Sequence, residues 1–310
     1  MPSTGELCLD AATGLSLGAR EAQEDAVLCD VPQGGASGII VLADGLGGHV
    51  AGALASRIAV TTALDELAAQ RNAQGRLATD IPGRLVKAAR AANRAILAHA
   101  CSNPETRGMG ATLLLVIVDG GRLFWLSVGD SPLFLLRGGA IRQLNEVHSL
   151  APQFDPLARA GEMDPGIAAI HPDRSCLTSA LGFDPLRRID CPQDAFELAP
   201  GDLLVAASDG ILTLSPETMA TTLSQPDKGS ATDLVDRLLR KVEACGAREQ
   251  DNLSISILRI FPDTERIAKP RQRWARRLFP RVCLLSREPS LRGRALCQDQ
   301  SASTSVEGSV

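Results

Sequence analysis

The sequence predicts an α+β sandwich, and three observations carry the prediction. A short apolar run, GIIVLA over residues 38–43, has the length and composition of a buried strand. Two long stretches follow with apolar residues at three- and four-residue spacing, and after them a series of β-rich runs separated by glycine turns. The resulting order of β, α, α, many β, α, β segregates helices from strands, which favours antiparallel sheets over a parallel α/β design.

The first helix is expected over residues 51–70, AGALASRIAVTTALDELAAQ, and the second over 81–100, IPGRLVKAARAANRAILAHA. Pro82 stands near the start of the second, where its fixed φ and missing N–H suit a first turn. ATLLLVIV (111–118), RLFWLSV (122–128) and PLFLLR (132–137) read as strands joined in antiparallel hairpins. Asp119-Gly120-Gly121 turns the first pair, and Gly138-Gly139 follows the third run. Residues 151–175 carry Pro152, Pro156, Pro165 and Pro172 and are expected to be irregular rather than helical. DLLVAAS (202–208) and LSISILRI (253–260) are the last strands, with helices near 216–223 and 231–244 between them. No internal repeat interrupts this series.

Length and composition narrow the function. With 310 residues, 45% of them hydrophobic, the chain can bury a sizeable core. Its net charge of −4 supplies no overall basic character for a nucleic-acid backbone, so no nucleic-acid partner is expected. The eight cysteines form no C-x-x-C pair and have no histidine at zinc-ligand spacing, which reads as reduced thiols in a cytoplasmic protein. The start, MPSTGELCLD, lacks a basic region followed by an apolar one, and no run approaches the roughly 18 apolar residues of a membrane span.

Beyond Pro262 the composition changes. Basic residues crowd the stretch from Arg266 to Arg294, and a serine-rich end follows. Residues 261–310 are therefore expected to form a basic, flexible, solvated extension. Its segment WARRLFPRVCLL (274–285) mixes Trp274, Leu278, Phe279 and Val282 with arginines, so contact with an anionic membrane surface or an acidic partner is the alternative.

The chemistry lies in acids placed where predicted strands run out into small residues: Asp44-Gly45, Asp130-Ser131, Asp209-Gly210 and Asp251-Asn252, with Glu24-Asp25 near the start. Taken singly, an Asp-Gly pair is an ordinary turn. Several carboxylates aimed from strand ends into one region repel as anions and need cations between them. Oxygen donors without paired His or Cys suit Mg²⁺ or Mn²⁺. Two such ions can acidify a water and present it to a phosphoryl group, which is phosphate-ester hydrolysis. On this reading Asp44 reaches both ions, Gly45 offers its carbonyl, and Gly47-Gly48 let backbone crowd the site. Arg20 has the fork geometry to bind two phosphate oxygens.

Taken in order, GAREAQEDA (18–26), VLADGLGGHVAGALAS (41–56), GMGATL (108–113), VGDSPLFLLRGGAIRQL (128–144), LTSALG (177–182), GDLLVAASDGI (201–211) and DNLSISIL (251–258) resemble the metal-dependent serine/threonine protein phosphatases of the type 2C class, in their bacterial branch. The resemblance spans about residues 7–260, which would form the catalytic domain. It implies a central antiparallel β-sandwich flanked by helices on both sides, in α/β/β/α layers. It also implies two core Mg²⁺ or Mn²⁺ ions and dephosphorylation of phosphoserine or phosphothreonine in protein substrates, opposing a cognate Ser/Thr kinase in signalling. Position by position, Asp44 would bridge the ions and Gly45 would give its carbonyl. Asp209 and Asp251 would hold one ion, Glu24 and Asp25 would act through waters, and Asp130 with Asp209 would form a third metal position. Arg20 would bind the phosphate.

The sequence departs from that pattern at Gln23, where Asn is usual, at Ala111, where Thr is frequent, at Pro132, where Arg is usual, and at Val147, where an acid is normal. These bear on substrate fit more than on metal ligands. Leu46 stands where eukaryotic relatives have a histidine and cannot donate a proton, and His49 is no substitute for it, so the general acid stays unassigned.

Other readings are weaker. Cys101 and Arg107 have the spacing of cysteine-dependent phosphatases, but SNPET between them places Glu105 and Pro104 where phosphate would need amides. The chain lacks the G-x-x-x-x-G-K-[ST] loop of nucleotide-cradling enzymes. The remaining rival is a non-catalytic, metal-binding regulatory module that docks a kinase or phosphoprotein.

Overall fold

The structure is a computed structural model that describes residues 7–32, 34–69, 80–225 and 229–263. The basic extension expected beyond residue 260 lies outside the described residues after Asp263.

The chain opens with two strands that its patterning does not announce, β1 (Leu7–Ser16) and β2 (Ala26–Asp30). The expected buried run becomes β3 (Ser37–Ala43), and a two-residue strand β4 (Gly45–Leu46) leads into α1 (His49–Ala68). Helix α2 (Ile81–Ser102) carries Pro82 in its first turn, and the Asp80 side chain accepts the Gly83 N–H. Then come β5 (Gly110–Ala111), β6 (Leu113–Asp119), β7 (Arg122–Val128), β8 (Leu133–Arg137) and β9 (Ala140–Gln143).

Residues 151–175, expected to be irregular, instead hold α3 (Ala151–Ala160), α4 (Pro165–Ile170) and a 3₁₀ turn at Pro172–Ser175. The prolines are the reason for the difference. Pro152, Pro165 and Pro172 occupy first-turn positions, where no intrahelical N–H is needed, so they start helices. Pro156 lies within α3, which continues through it to a left-handed Gly161.

The rest is β10 (Phe196–Glu197), β11 (Leu203–Ala207), a 3₁₀ turn at Asp209–Thr213, α5 (Pro216–Leu223), α6 (Ala231–Cys245) and β12 (Leu253–Pro262). Ser215 caps α5, and Ser230 with Asp233 forms a capping box on α6.

The strands make two five-stranded antiparallel sheets, ordered β1-β12-β11-β8-β9 and β10-β7-β6-β3-β2, and a small β4-β5 pair. The expected β6–β7 hairpin forms around Gly120-Gly121. The next connection is different: β8 pairs with β11 and β9, so the chain changes sheets across Gly129-Asp130-Ser131-Pro132.

Three apolar clusters are buried. One joins Val41, Leu113, Leu115 and Ile117 to Ala59, Leu67, Leu85 and Ile96 of the first two helices. A second gathers Leu42, Leu114, Val116 and Trp125 from one sheet with Leu135, Leu204, Leu258 and Ile260 from the other. The third packs Val205, Ile255 and Ile257 against Met219, Leu234 and Leu238. Alternate residues of one strand enter different clusters, Leu113 and Leu115 the first and Leu114 and Val116 the second, as the period of two requires when both faces are covered.

Candidate metal centre

Strand register brings the sequence-predicted acids to one rim. Pairing of Ser16 with Leu253 sets the segment after β1 beside the segment before β12, so Arg20 meets Asp251. Pairing of Ala26 with Ala43 sets Asp25 beside Asp44. Pairing of Leu113 with Val128 brings Thr112 to Gly129 and hence to Asp130. Pairing of Ala207 with Ile255 sets Ser208 and Asp209 beside Ser254.

Hydrogen bonds fix the acids' backbones and oxygens. The Asp44 N–H donates to Thr112 Oγ1 at 2.9 Å, and the Thr112 N–H donates to the Asp44 carbonyl at 2.8 Å. The same Thr112 hydroxyl meets Ser131 Oγ at 2.8 Å, tying the Asp44 and Asp130 turns together. Ser208 Oγ donates to Asp25 Oδ2 at 2.6 Å. Asn252 Oδ1 accepts the Glu24 N–H at 2.8 Å, and Gln23 Oε1 accepts the Asp25 N–H at 3.1 Å. Gln23 thus braces the loop despite departing from the usual Asn. Gly129 and His148 are joined twice: the His148 N–H donates to the Gly129 carbonyl, and the Gly129 N–H donates to His148 Nδ1.

Close approach explains glycines that the sequence left as punctuation. A Cβ on Gly52 of α1 would fall on the Glu24 carboxylate, and one on Gly210 would fall on the Asn252 carbonyl. Gly48, by contrast, has open space around its Cβ position and a φ of 80°, so it turns the chain into α1 rather than crowding the site. The expectation that Gly48 brings backbone inward is corrected on that ground, while a Cβ on Gly47 would stand 3.1 Å from Met109 Cα, and Gly45, Gly52 and Gly210 add to the crowding.

The electrostatics record the convergence. Burial, with Asp25, Asp209, Asp130 and Asp251 around it, pushes the Asp44 carboxyl up to about 10. Burial first, then Asp130, Asp251 and Asp25, raises Asp209 to about 7, while Arg20 pulls it down. Asp25 rises to about 6, chiefly through burial and against the Ser208 hydroxyl, and burial raises Asp130 to about 6. Asp209 Oδ1 is buried without a hydrogen-bond partner.

Arg20 Nη2 reaches Asp251 Oδ2 at 2.6 Å, an ion pair the sequence did not indicate. Among the described residues, no three His, Cys, Asp or Glu side chains are gathered tightly enough to hold one ion by themselves. Any ion here would draw further donors from backbone carbonyls and water, which is the habit of Mg²⁺ and not of a closed all-protein cage. With that allowance the residues fit a hard divalent cation, because the arrangement leaves one buried carboxylate oxygen orphaned and several acids mutually repelled. His49 begins α1, and Cys101 is exposed in the last turn of α2.

A family profile described as protein phosphatase 2C matches residues 18–253. The chain belongs to the protein phosphatase 2C family. The serine/threonine phosphatase stp of Listeria welshimeri is 32% identical over 220 residues, covering 71% of this chain and 83% of that protein. The S. agalactiae serine/threonine phosphatase structure aligns at a TM-score of 0.69 with 27% identity, over 81% of this chain and 99% of that one. The catalytic domain of serine threonine protein phosphatase PstP, in complex with 2 manganese ions, aligns at 0.65 with 28% identity, over 82% of this chain and 99% of that one. The matched span encloses each acid of the rim, from Glu24 to Asp251.

The acids themselves were legible from the sequence, but Thr112, Ser131, Ser208, Asn252 and Gly52 were not recognised as their supports. A signal existed for three of them, since Ser131, Ser208 and Asn252 directly flank an acid.

Proposed function

We propose that this family member removes phosphate from phosphoserine and phosphothreonine in proteins, with two Mg²⁺ or Mn²⁺ ions held at the rim and a third beside them. The chain is a protein-serine/threonine phosphatase, a hydrolase. The observation that carries the metal reading is the Asp44 carboxyl, driven to about 10 by burial and four other carboxylates: such a cluster is stable as anions only around cations. Asp44 would lie between the two ions, with the Gly45 carbonyl as a further donor. Asp209 and Asp251 would hold one ion, Glu24 and Asp25 would act through waters, and Asp130 with Asp209 would hold the third. When bound, the ions supply charge that polarises the phosphoryl group and lowers the pKa of a water.

The protein's own contribution is placement. The Thr112 and Ser208 hydroxyls hold Asp44 and Asp25, and the glycine contacts let the loops close. Arg20 neutralises Asp251 now, and once Asp251 is neutralised otherwise its exposed guanidinium can take two phosphate oxygens. The regulatory-module reading loses ground because none of the acids is missing. Hydrolysis of a phosphothreonine peptide with and without Mn²⁺, for wild type and Asp209→Asn, tests this. Turnover should require the metal and fall on the order of 100-fold or more in the variant, with weaker Mn²⁺ binding by calorimetry. Metal-independent turnover, or an unaffected variant, would refute the dinuclear reading.

We further propose that the three apolar clusters stack the molecule in α/β/β/α layers, with the sheets face to face as a sandwich. Residues 7–260 would be the catalytic domain and 261–310 an appended basic, solvated extension, with contact to an anionic membrane surface as the alternative. A cytoplasmic location is supported by the scattered spacing of the eight cysteines, which form no C-x-x-C pair, and a Ser/Thr kinase is the expected opposing partner. Removing residues 264–310 should leave p-nitrophenyl phosphate turnover intact while abolishing binding to vesicles containing phosphatidylserine. Unchanged vesicle binding would dismiss the membrane role, and lost turnover would dismiss the boundary.

A further inference from the structure

Helices α5 and α6 pack against each other on the sheet that contains β12 and leave between them an open groove of about 530 Å³. Its two walls differ chemically. Arg237 lines it from α6 one helical turn before the adjacent Arg240 and Lys241. Arg240 and Lys241 have no ion-pair partner among the described residues. Among the described residues the one acid on the lining, Glu217, is turned to its own backbone amide and the Ser215 hydroxyl at the start of α5.

The α5 wall presents two hydroxyl acceptors, and the Gln225 amide just beyond it can donate as well as accept. Thr221 Oγ1 donates its proton to the Glu217 carbonyl at 2.8 Å, and Thr222 Oγ1 donates to the Thr218 carbonyl at 2.7 Å. Both hydroxyl oxygens therefore keep lone pairs and no spare hydrogen. A ligand for this groove must bring negative charge to one side and hydrogen-bond donors to the other. Phosphate ions, nucleic-acid backbones and most lipid phosphates bring the charge without the N–H groups. An extended peptide brings both, acidic side chains for the cations and backbone N–H groups for the threonine oxygens.

We propose that the α5–α6 groove is a docking site for an acidic peptide segment of a protein partner, whose carboxylates pair with Arg240 and Lys241 while its backbone N–H groups meet the threonine oxygens. The site is separate from the acid rim, and its occupancy does not depend on hydrolysis.

The test uses the full chain in EDTA at low salt, so that the acid rim repels rather than attracts the probe, and each comparison is repeated on the chain ending at Asp263 so that binding by the basic segment is subtracted. Binding of a fluorescein-labelled peptide with alternating Asp and Glu is compared with that of its Asn and Gln counterpart by anisotropy. The acidic peptide should bind at least about tenfold tighter, and R240E/K241E should weaken it by about tenfold while R240A/K241A weakens it less. Both positions are exposed, and an unchanged thermal midpoint verifies that each variant is folded. Equal binding by wild type and R240E/K241E would overturn the proposal. So would displacement of the peptide by inorganic phosphate as effective as by unlabelled peptide, because the groove would then be a plain anion site.

Discussion

Thr112 is an uncharged residue on which two acids of the rim depend. It is 1% exposed, its hydroxyl accepts from the Asp44 N–H, and it contacts Ser131 next to Asp130. Thr112→Val keeps the shape and removes both bonds, leaving a buried N–H unsatisfied at a loss of about 1–3 kcal/mol. We expect a lower unfolding midpoint and a several-fold weaker Mn²⁺ affinity by calorimetry, with Thr112→Ser restoring the affinity. A valine variant that binds Mn²⁺ like wild type would show that Thr112 does not aim Asp44. Asp44, Asp130 and Asp209 can be read from the sequence because each ends a strand-like run in a small-residue turn, whereas what their supports touch cannot. Thr112 lies 68 positions from Asp44, and Ser208 lies 183 from Asp25, so only the fold reveals what each touches.

Helix α1 illustrates a conflict between local propensity and site geometry. Gly52 sits in its first turns, where alanine would favour the helix by about 1 kcal/mol. The added Cβ would fall on the end of the Glu24 side chain, which can swing away, and would stand 3.0 Å from the Gly45 carbonyl, which cannot move as readily. Gly52→Ala should therefore be close to neutral in thermal stability yet reduce Mn²⁺ affinity, since Glu24 is displaced. Unchanged affinity, measured by calorimetry, would separate Glu24 from the site. Helices α1, α2, α5 and α6 and the strands β3, β6, β7, β8, β11 and β12 are visible in the sequence pattern, whereas β1, ten residues long, is not. The short strands β4 and β5 were not, because two residues carry no period. The change of sheets at Asp130 was also hidden, since two β-rich runs joined by a short turn read the same whether they pair or part. Proline misled the reading of residues 151–175: its position relative to a helix start decides whether it breaks or begins the element.

At the scale of the whole molecule, gathering acids at one rim sets stability against function. Asp25, Asp130, Asp209 and Asp44 have carboxyls raised to about 6, 6, 7 and 10 from 3.8. For an acid raised in the folded state, the native protein holds protons that the unfolded chain has released, so stability is full below the unfolded value and declines as pH climbs through the folded one. Metal-free protein should thus lose on the order of 3 kcal/mol between pH 5 and pH 8, with coupling among the four acids keeping the loss well below their simple sum. That corresponds to a fall of roughly 5–10 °C in the unfolding midpoint in EDTA. Saturating Mn²⁺ should flatten the slope, because ligand binding to the native state stabilises it most where the carboxylates are already ionised. Asp44→Asn removes the most perturbed carboxyl, so metal-free Asp44→Asn should melt higher than wild type at pH 8 while gaining less from Mn²⁺. A stabilising substitution that impairs the site is the signature of repulsion retained for cation binding. If the wild-type midpoint in EDTA instead stayed level from pH 5 to pH 8, the acids would not share a buried rim, and the electrostatic case for cations at Asp44 would fall with that result.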